Sequence, residues 1–140
     1  MELEFAAFKA LMAEDPTLAD KIVTTVRRDS SGATVRDNYV VAKSGAPDRI
    51  DDARKSMVNT FDADRRYTWV VRVVATSDAG VDMIGTALMR QVVGKTLSVS
   101  GRSCTAIELV PDIDRPDGYD RAADLLYRDF TFRFWSNRPS

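Results

Sequence analysis

Histidine is absent from this chain of 140 residues, and cysteine occurs once, at Cys104. The first absence removes histidine-containing zinc sites, Ser-His-Asp and Cys-His nucleophile pairs, and the commonest general base. The second removes an intrachain disulfide and any multi-cysteine zinc or iron–sulfur site. A single thiol fits a reducing compartment. No apolar run approaches the roughly 18 residues of a membrane helix. The start, Met1-Glu2-Leu3-Glu4, is acidic and unlike a signal peptide. A charge surplus is missing too: Lys plus Arg number 20, Asp plus Glu 21, and the net charge is −1. General nucleic-acid binders carry a basic excess, so that class is disfavoured. Repeats and low-complexity tracts are also missing.

What is present is globular. Apolar residues make up 44% and charged residues 29%, which excludes disorder throughout. The length suits one domain over 1–140.

Phe5, Phe8 and Met12 recur at i, i+3 and i+7, with Leu11 three after Phe8. This spacing predicts an N-terminal helix over 3–14. Asp15-Pro16 stops it, since proline disfavours the helical region for its predecessor. Residues 21–27, rich in β-branched side chains, predict a strand. Asp29-Ser30-Ser31-Gly32 is a turn signal, and 34–42 a returning strand, which together make a hairpin. Residues 44–66 are charged, with Ile50, Met57, Val58 and Phe61 isolated among them. They read as an extended loop or arm, with Asp48 a candidate cap for a short helix at 50–58.

The second half is more regular. In 67–76, Tyr67, Trp69, Val71, Val73 and Ala75 share one face of a strand, and Thr68, Val70, Arg72 and Val74 share the other. Ser77 and Asp78 are helix caps. Val81, Ile84, Leu88 and Val92 then give the stripe of a second helix near 79–93, closed by Gly94. Strands follow at 95–100 and 103–110. A polar loop spans Pro111 to Gly118. A long strand over 125–135 puts Leu126, Phe130, Phe132 and Phe134 on one face. The tail SNRPS is expected to be loose. The predicted class is α+β, with a mostly antiparallel sheet of about five to six strands flanked by the two helices.

No motif carries chemistry. Gly94-Lys95-Thr96 lacks the phosphate-loop glycine five residues earlier, where Met89 stands. It also ends a helix instead of opening one. The acidic groups are Asp48/Asp51/Asp52, Asp62/Asp64 and Asp112/Asp114/Asp117. The last alternates like a calcium loop but has no closing glutamate, so solvated loops are the simpler reading. Cys104, in an apolar alternating segment without histidine, reads as a structural thiol. Arginine outnumbers lysine 15 to 5 and is interleaved with aspartate, which favours protein–protein contacts over a DNA-binding surface. No catalytic, metal-binding or cofactor-binding residue is singled out. A small carboxylate-based hydrolase stays open as an alternative, since paired acids suffice for such chemistry.

The stretch RRYTWVVRVVATSDAGVDMIGTALMRQVVGKTLSVSGRSCTAIELV, followed after a polar loop by DRAADLLYRDFTFRFW, resembles the tail terminator proteins of long-tailed bacteriophages. The resemblance is one of architecture and spans most of 3–136. It rests on an N-terminal helix, a hairpin with an extended loop, a strand–helix–strand unit and a returning final strand. Related neck proteins, for head completion or stoppering, share this layout and form the alternative. The resemblance implies a non-enzymatic virion protein of the neck region, assembled in the host cytoplasm. It implies a ring, commonly a hexamer, that caps the tail tube and joins it to the head connector. The expected partners are further copies of the chain, the major tail tube protein and the head–tail connector protein. DNA would pass through the lumen without specific binding, and no membrane or cofactor is involved. A domain of this size has a radius of gyration of about 14 Å, hence a diameter near 37 Å. Six such spheres in a ring leave a hole about as wide as one sphere, enough for a duplex. Met57, Val58, Phe61, Arg65 and Arg66 are the expected contact residues, because they set apolar and arginine side chains in a charged loop.

Overall fold

A computed structural model describes residues 3–24, 30–32, 37–42, 48–49, 65–110, 118–121 and 124–137. Its elements begin with helix α1 (Leu3–Ala13) and strands β1 (Ile22–Val23), β2 (Tyr39–Ala42), β3 (Asp48–Arg49) and β4 (Arg65–Ala75). Helix α2 (Asp78–Val92) follows, then strands β5 (Ser103–Cys104), β6 (Glu108–Val110), β7 (Gly118–Asp120) and β8 (Leu125–Asn137). The class is α+β. Both helices lie where their periodicity puts them.

Two long strands organise the sheet. β4 and β8 run antiparallel in continuous register from Arg65↔Ser136 to Ala75↔Leu126. β2 and β3 pair with the other edge of β4. β5, β6 and β7 follow one another along the other edge of β8. The described residues thus form an eight-stranded sheet, five of whose strands have only two or three residues.

Several expectations are corrected. β1 runs parallel to β2, with Ile22 opposite Val40, so the sheet is mixed at this edge and the expected hairpin is not formed. A turn signal reports that the chain bends, not how often it reverses, and a parallel pair needs two reversals. The expected loop at 44–66 has strand at both ends: Asp48 lies in β3, and Arg65 and Arg66 open β4. Its middle, 50–64, lies outside the described residues, as does the suggested helix at 50–58.

The strand expected at 95–100 is irregular, with a single bridge between Thr96 and Ala106. Leu97 and Val99 are still buried, so the alternation was a burial signal without a ladder. The reason lies across from it. The expected strand 103–110 is broken in two, because Cys104 faces Ser136 while Glu108 faces Arg133. Four residue steps oppose three, which is a β-bulge. Thr105 fills the break: its N–H donates to the Trp135 carbonyl at 2.9 Å, and its hydroxyl accepts from the Trp135 N–H at 2.9 Å. Ile107 turns away to exchange backbone bonds with Gly94 (2.8 Å) and Lys95 (2.7 Å). β7 was not anticipated. The tail is not loose at its start, since Ser136 and Asn137 complete β8.

The helices cover one sheet face. Tyr67, Trp69, Val71 and Val73 of β4 lie beside Phe130, Phe132 and Phe134 of β8, all buried. Phe5 and Phe8 of α1 meet Trp69 with ring centroids 5.4 and 5.0 Å apart, and Phe8 lies 6.0 Å from Phe132. Tyr67 stacks on Phe134 at 5.3 Å. α2 adds Ile84, Leu88 and Val92 to the same core. Ser77 caps α2, its hydroxyl accepting from the Gly80 N–H at 3.1 Å. Gly94 follows the helix at φ +83, a conformation L side chains rarely adopt. At Gly85 a Cβ would stand 2.9 Å from Cζ of Phe130, so this glycine lets α2 lie close on the sheet. Gln91 ties the helices together, its amide donating to the Leu11 carbonyl at 2.8 Å.

Candidate functional site

The other sheet face has no helix over it among the described residues. Strand alternation sends Thr68, Val70 and Arg72 of β4 to this face. Register then sets Arg133, Thr131 and Asp129 of β8 beside them, and Glu108 and Val110 of β6 beyond. The face is built in rows. Thr68, Arg133 and Glu108 form one row, Val70, Thr131 and Val110 the next, and Val41, Arg72 and Asp129 the third. Val70 is 44% exposed.

Both arginines on these rows are held from two sides. Arg72 grips Asp129 with two bonds, Nε to Oδ1 at 2.8 Å and Nη2 to Oδ2 at 3.1 Å. Its guanidinium also lies 4.1 Å from the centre of the Tyr127 ring. The hydrogen bond to Asp129 raises the Arg72 pKa, against the opposing effect of partial burial. Arg133 donates Nε to Glu108 Oε1 at 2.6 Å and lies 5.5 Å from the Trp135 ring centre. Two-point pairing with a carboxylate and stacking on an aromatic are uses that arginine serves better than lysine. At the far end Tyr39, Val41, Val74 and Leu125 make a small second core.

A buried polar cluster lies on the helix side, where α1 meets the end of β8. The Ser136 hydroxyl donates to Glu4 Oε1 at 3.0 Å and accepts from Arg102 Nε at 3.0 Å. Arg102 also donates through Nη2 to the Ser136 carbonyl. Glu4 and Arg102 approach to 4.0 Å. Ser136 is fully buried and Glu4 nearly so. Cys104 stands opposite Ser136 in β5. Burial raises the Cys104 pKa, and a hydrogen bond with Ser136 partly offsets this. A thiol held in that way stays protonated and unreactive near neutral pH.

Both helices expose apolar side chains, interspersed with charged ones on α2. On α2, Met83 is 54% exposed, with Met89 and the following Val93 exposed beside it. On α1 the exposed positions are Leu3, Ala6, Ala10 and Ala13. These α1 positions carry no charge, whereas α2 also exposes Asp78, Asp82 and Arg90.

Of the residues expected at the contact site, Met57, Val58 and Phe61 lie outside the described residues. Arg65 and Arg66 are neighbours on β4 and therefore point to opposite faces. Arg65 stands opposite Ser136 on the helix side, and Arg66 opposite Trp135 on the helix-free side. The structure separates them. The sequence reading missed Arg72, Arg133, Glu108 and Asp129 as a group. The period-two runs Thr68-x-Val70-x-Arg72 and Asp129-x-Thr131-x-Arg133 carried the signal, but only the register of β4 against β8 joins them. Among the described residues, no group of three or more His, Cys, Asp or Glu side chains could hold a metal ion.

The chain is similar in fold to a chain in a solved structure described as the virion of a native gene transfer agent (GTA) particle. The TM-score is 0.67 at 18% identity, and the alignment covers 94% of this chain and 92% of that one. A likeness at this identity establishes a shared fold. No family model matches the chain, and no curated protein matches it.

Proposed function

We propose that this chain is a structural protein of a phage-like virion and, within that class, a tail terminator. The observation that carries the reading is the shared fold with a chain of a gene transfer agent virion, aligned over nearly the whole of both chains. The architectural resemblance in the sequence points the same way. In this reading copies of the chain close into a ring, six in number, that caps the tail tube. The ring meets the major tail tube protein on one side and the head–tail connector protein on the other, in the neck of the virion. Its role is assembly, with no catalysis.

The helix-free sheet face and the exposed apolar residues of α1 and α2, Leu3, Met83 and Met89 among them, support this reading. A ring protomer must offer separate surfaces to its neighbours and to the lumen. Met57, Val58 and Phe61 are kept in this proposal as contacts to a neighbour or the tube. Changing all three to serine should leave a folded protomer that no longer assembles.

Electron microscopy of the purified protein, alone and mixed with tail tubes of its phage, tests the proposal. A six-fold ring, or density capping the tube end furthest from the baseplate, is expected. Monomers with no affinity for tubes would overturn the terminator role. Binding to heads alone would favour a head-completion or stopper protein instead.

A further inference from the structure

We infer that the exposed face of α2 is a docking surface for a second copy of this chain. The two α2 helices lie antiparallel about a two-fold axis at Thr86, each Asp82 beside the other copy's Arg90. The inference stands apart from the ring reading and needs no virion.

The residues of α2 are ordered as such a pairing requires. Ala79, Asp82, Met83, Thr86, Met89 and Arg90 are exposed, and so is Val93 at its end. At 100° per residue they occupy an arc of about 120°. This arc lies opposite the core stripe of Val81, Ile84, Leu88 and Val92. Asp78, the remaining exposed residue of the helix, falls just outside it. Steps of three and four residues are those of a seam between paired helices. In an antiparallel pair centred on Thr86, positions equally far from it on either side meet. Met83 then meets Met89, Ala79 meets Val93, and Asp82 meets Arg90. The methionines gain by being covered, and their unbranched side chains adapt to one another.

Charge sets the direction. A parallel pair would put Asp82 against Asp82 and Arg90 against Arg90. The antiparallel pair makes both contacts opposite in sign. Within one copy, Asp82 touches Arg128 at 3.0 Å and Arg90 touches Asp15 at 3.6 Å. The Asp82 and Arg90 side chains remain 67% and 70% exposed. A carboxylate accepts at two oxygens and a guanidinium offers five N–H groups, so a partner across the axis adds to these pairs without breaking them. One helix pair is a small interface, below the ~1,200 Å² of stable complexes. The dimer should therefore be reversible, with a dissociation constant on the order of 100 µM. A two-fold contact closes on two copies, so it belongs to the free protein. On the ring reading it covers Met83 and Met89 until assembly.

Sedimentation equilibrium of the full chain, from about 10 µM to about 1 mM, should show monomer passing into dimer. Asp82→Arg makes both charge contacts Arg–Arg, and Arg90→Asp makes both Asp–Asp. Each variant alone should associate at least about tenfold more weakly than the unaltered chain. An equimolar mixture of the two has opposite charges at both contacts and should recover the dimer. The same two proteins are measured apart and together, so recovery also shows that each is folded. In a Cys104→Ser background, diamide should couple Thr86→Cys into a covalent dimer and leave Thr68→Cys, exposed on the sheet face, as monomer. Monomers at every concentration would overturn the proposal and leave this face to a different protein. A dimer that both charge variants leave intact, or that mixing fails to recover, would overturn it too. None of these readouts uses tubes or particles, so they stand whether or not the virion reading does.

Discussion

At the scale of single residues, Ser136 joins a buried polar cluster. Its hydroxyl lies between the buried Glu4 carboxylate and the Arg102 guanidinium, donating a hydrogen bond to the first and accepting one from the second. Ser136→Ala leaves both charges without that bridge. It should cost about 1–3 kcal/mol, the desolvation penalty of an unsatisfied buried group. A lowered urea midpoint at unchanged slope would show it. Cys104 gives a second prediction. Its folded pKa is raised by burial, so alkylation by iodoacetamide should be slower than for a free thiol at pH 8. The rate should climb at a pH above the ordinary thiol range, and urea should restore ordinary behaviour. The linkage follows in sign. The group's stabilising contribution is complete below the unfolded pKa and is lost as pH rises through the folded one.

At the scale of elements, α1 is held by aromatic packing more than by its own amphipathicity. Phe8 is fully buried between Trp69 and Phe132. Phe8→Ala should cost about 3–5 kcal/mol. Trp69 emission should shift to the red as water reaches its ring. Elements like this were legible in the sequence because their signals are local. Phe5, Phe8 and Met12 mark a helical stripe, Ser77 and Gly94 bracket α2, and the alternation in β4 and β8 names both faces. Other features depend on a distant partner. The direction of β1 is set by β2, and the bulge at Thr105 exists only against Trp135. β7 is recruited by Tyr127, Leu126 and Leu125. The candidate site shares this limit. Arg65 and Arg66 were visible as a pair, yet consecutive strand residues cannot act on one face. The row of Arg133 and Glu108 needs a register that no local window contains.

At the scale of the whole molecule, the exposed methionines of α2 offer a way to test the proposed ring apart from folding. Met83 and Met89 contribute little to the monomer core, so Met83→Glu with Met89→Glu should change stability by no more than ~0.5 kcal/mol per site. The same changes replace exposed apolar side chains by charges and, on the proposed ring reading, should abolish ring formation, as read by light scattering in the presence of tubes. A further consequence comes from the place of β8. It pairs with β4, β5, β6 and β7, and its Ser136 closes the cluster that holds α1. It also leaves the ribosome after every element it joins. Until it emerges, β4 has an open edge, and α1 lacks both Phe132 and the Ser136 bridge. Completing the sheet must therefore wait until β8 has been made, and a chain broken off before Leu125 leaves β4, β5, β6 and β7 without the strand they share. One late strand thus acts as the clasp that joins both halves of the sheet and the first helix.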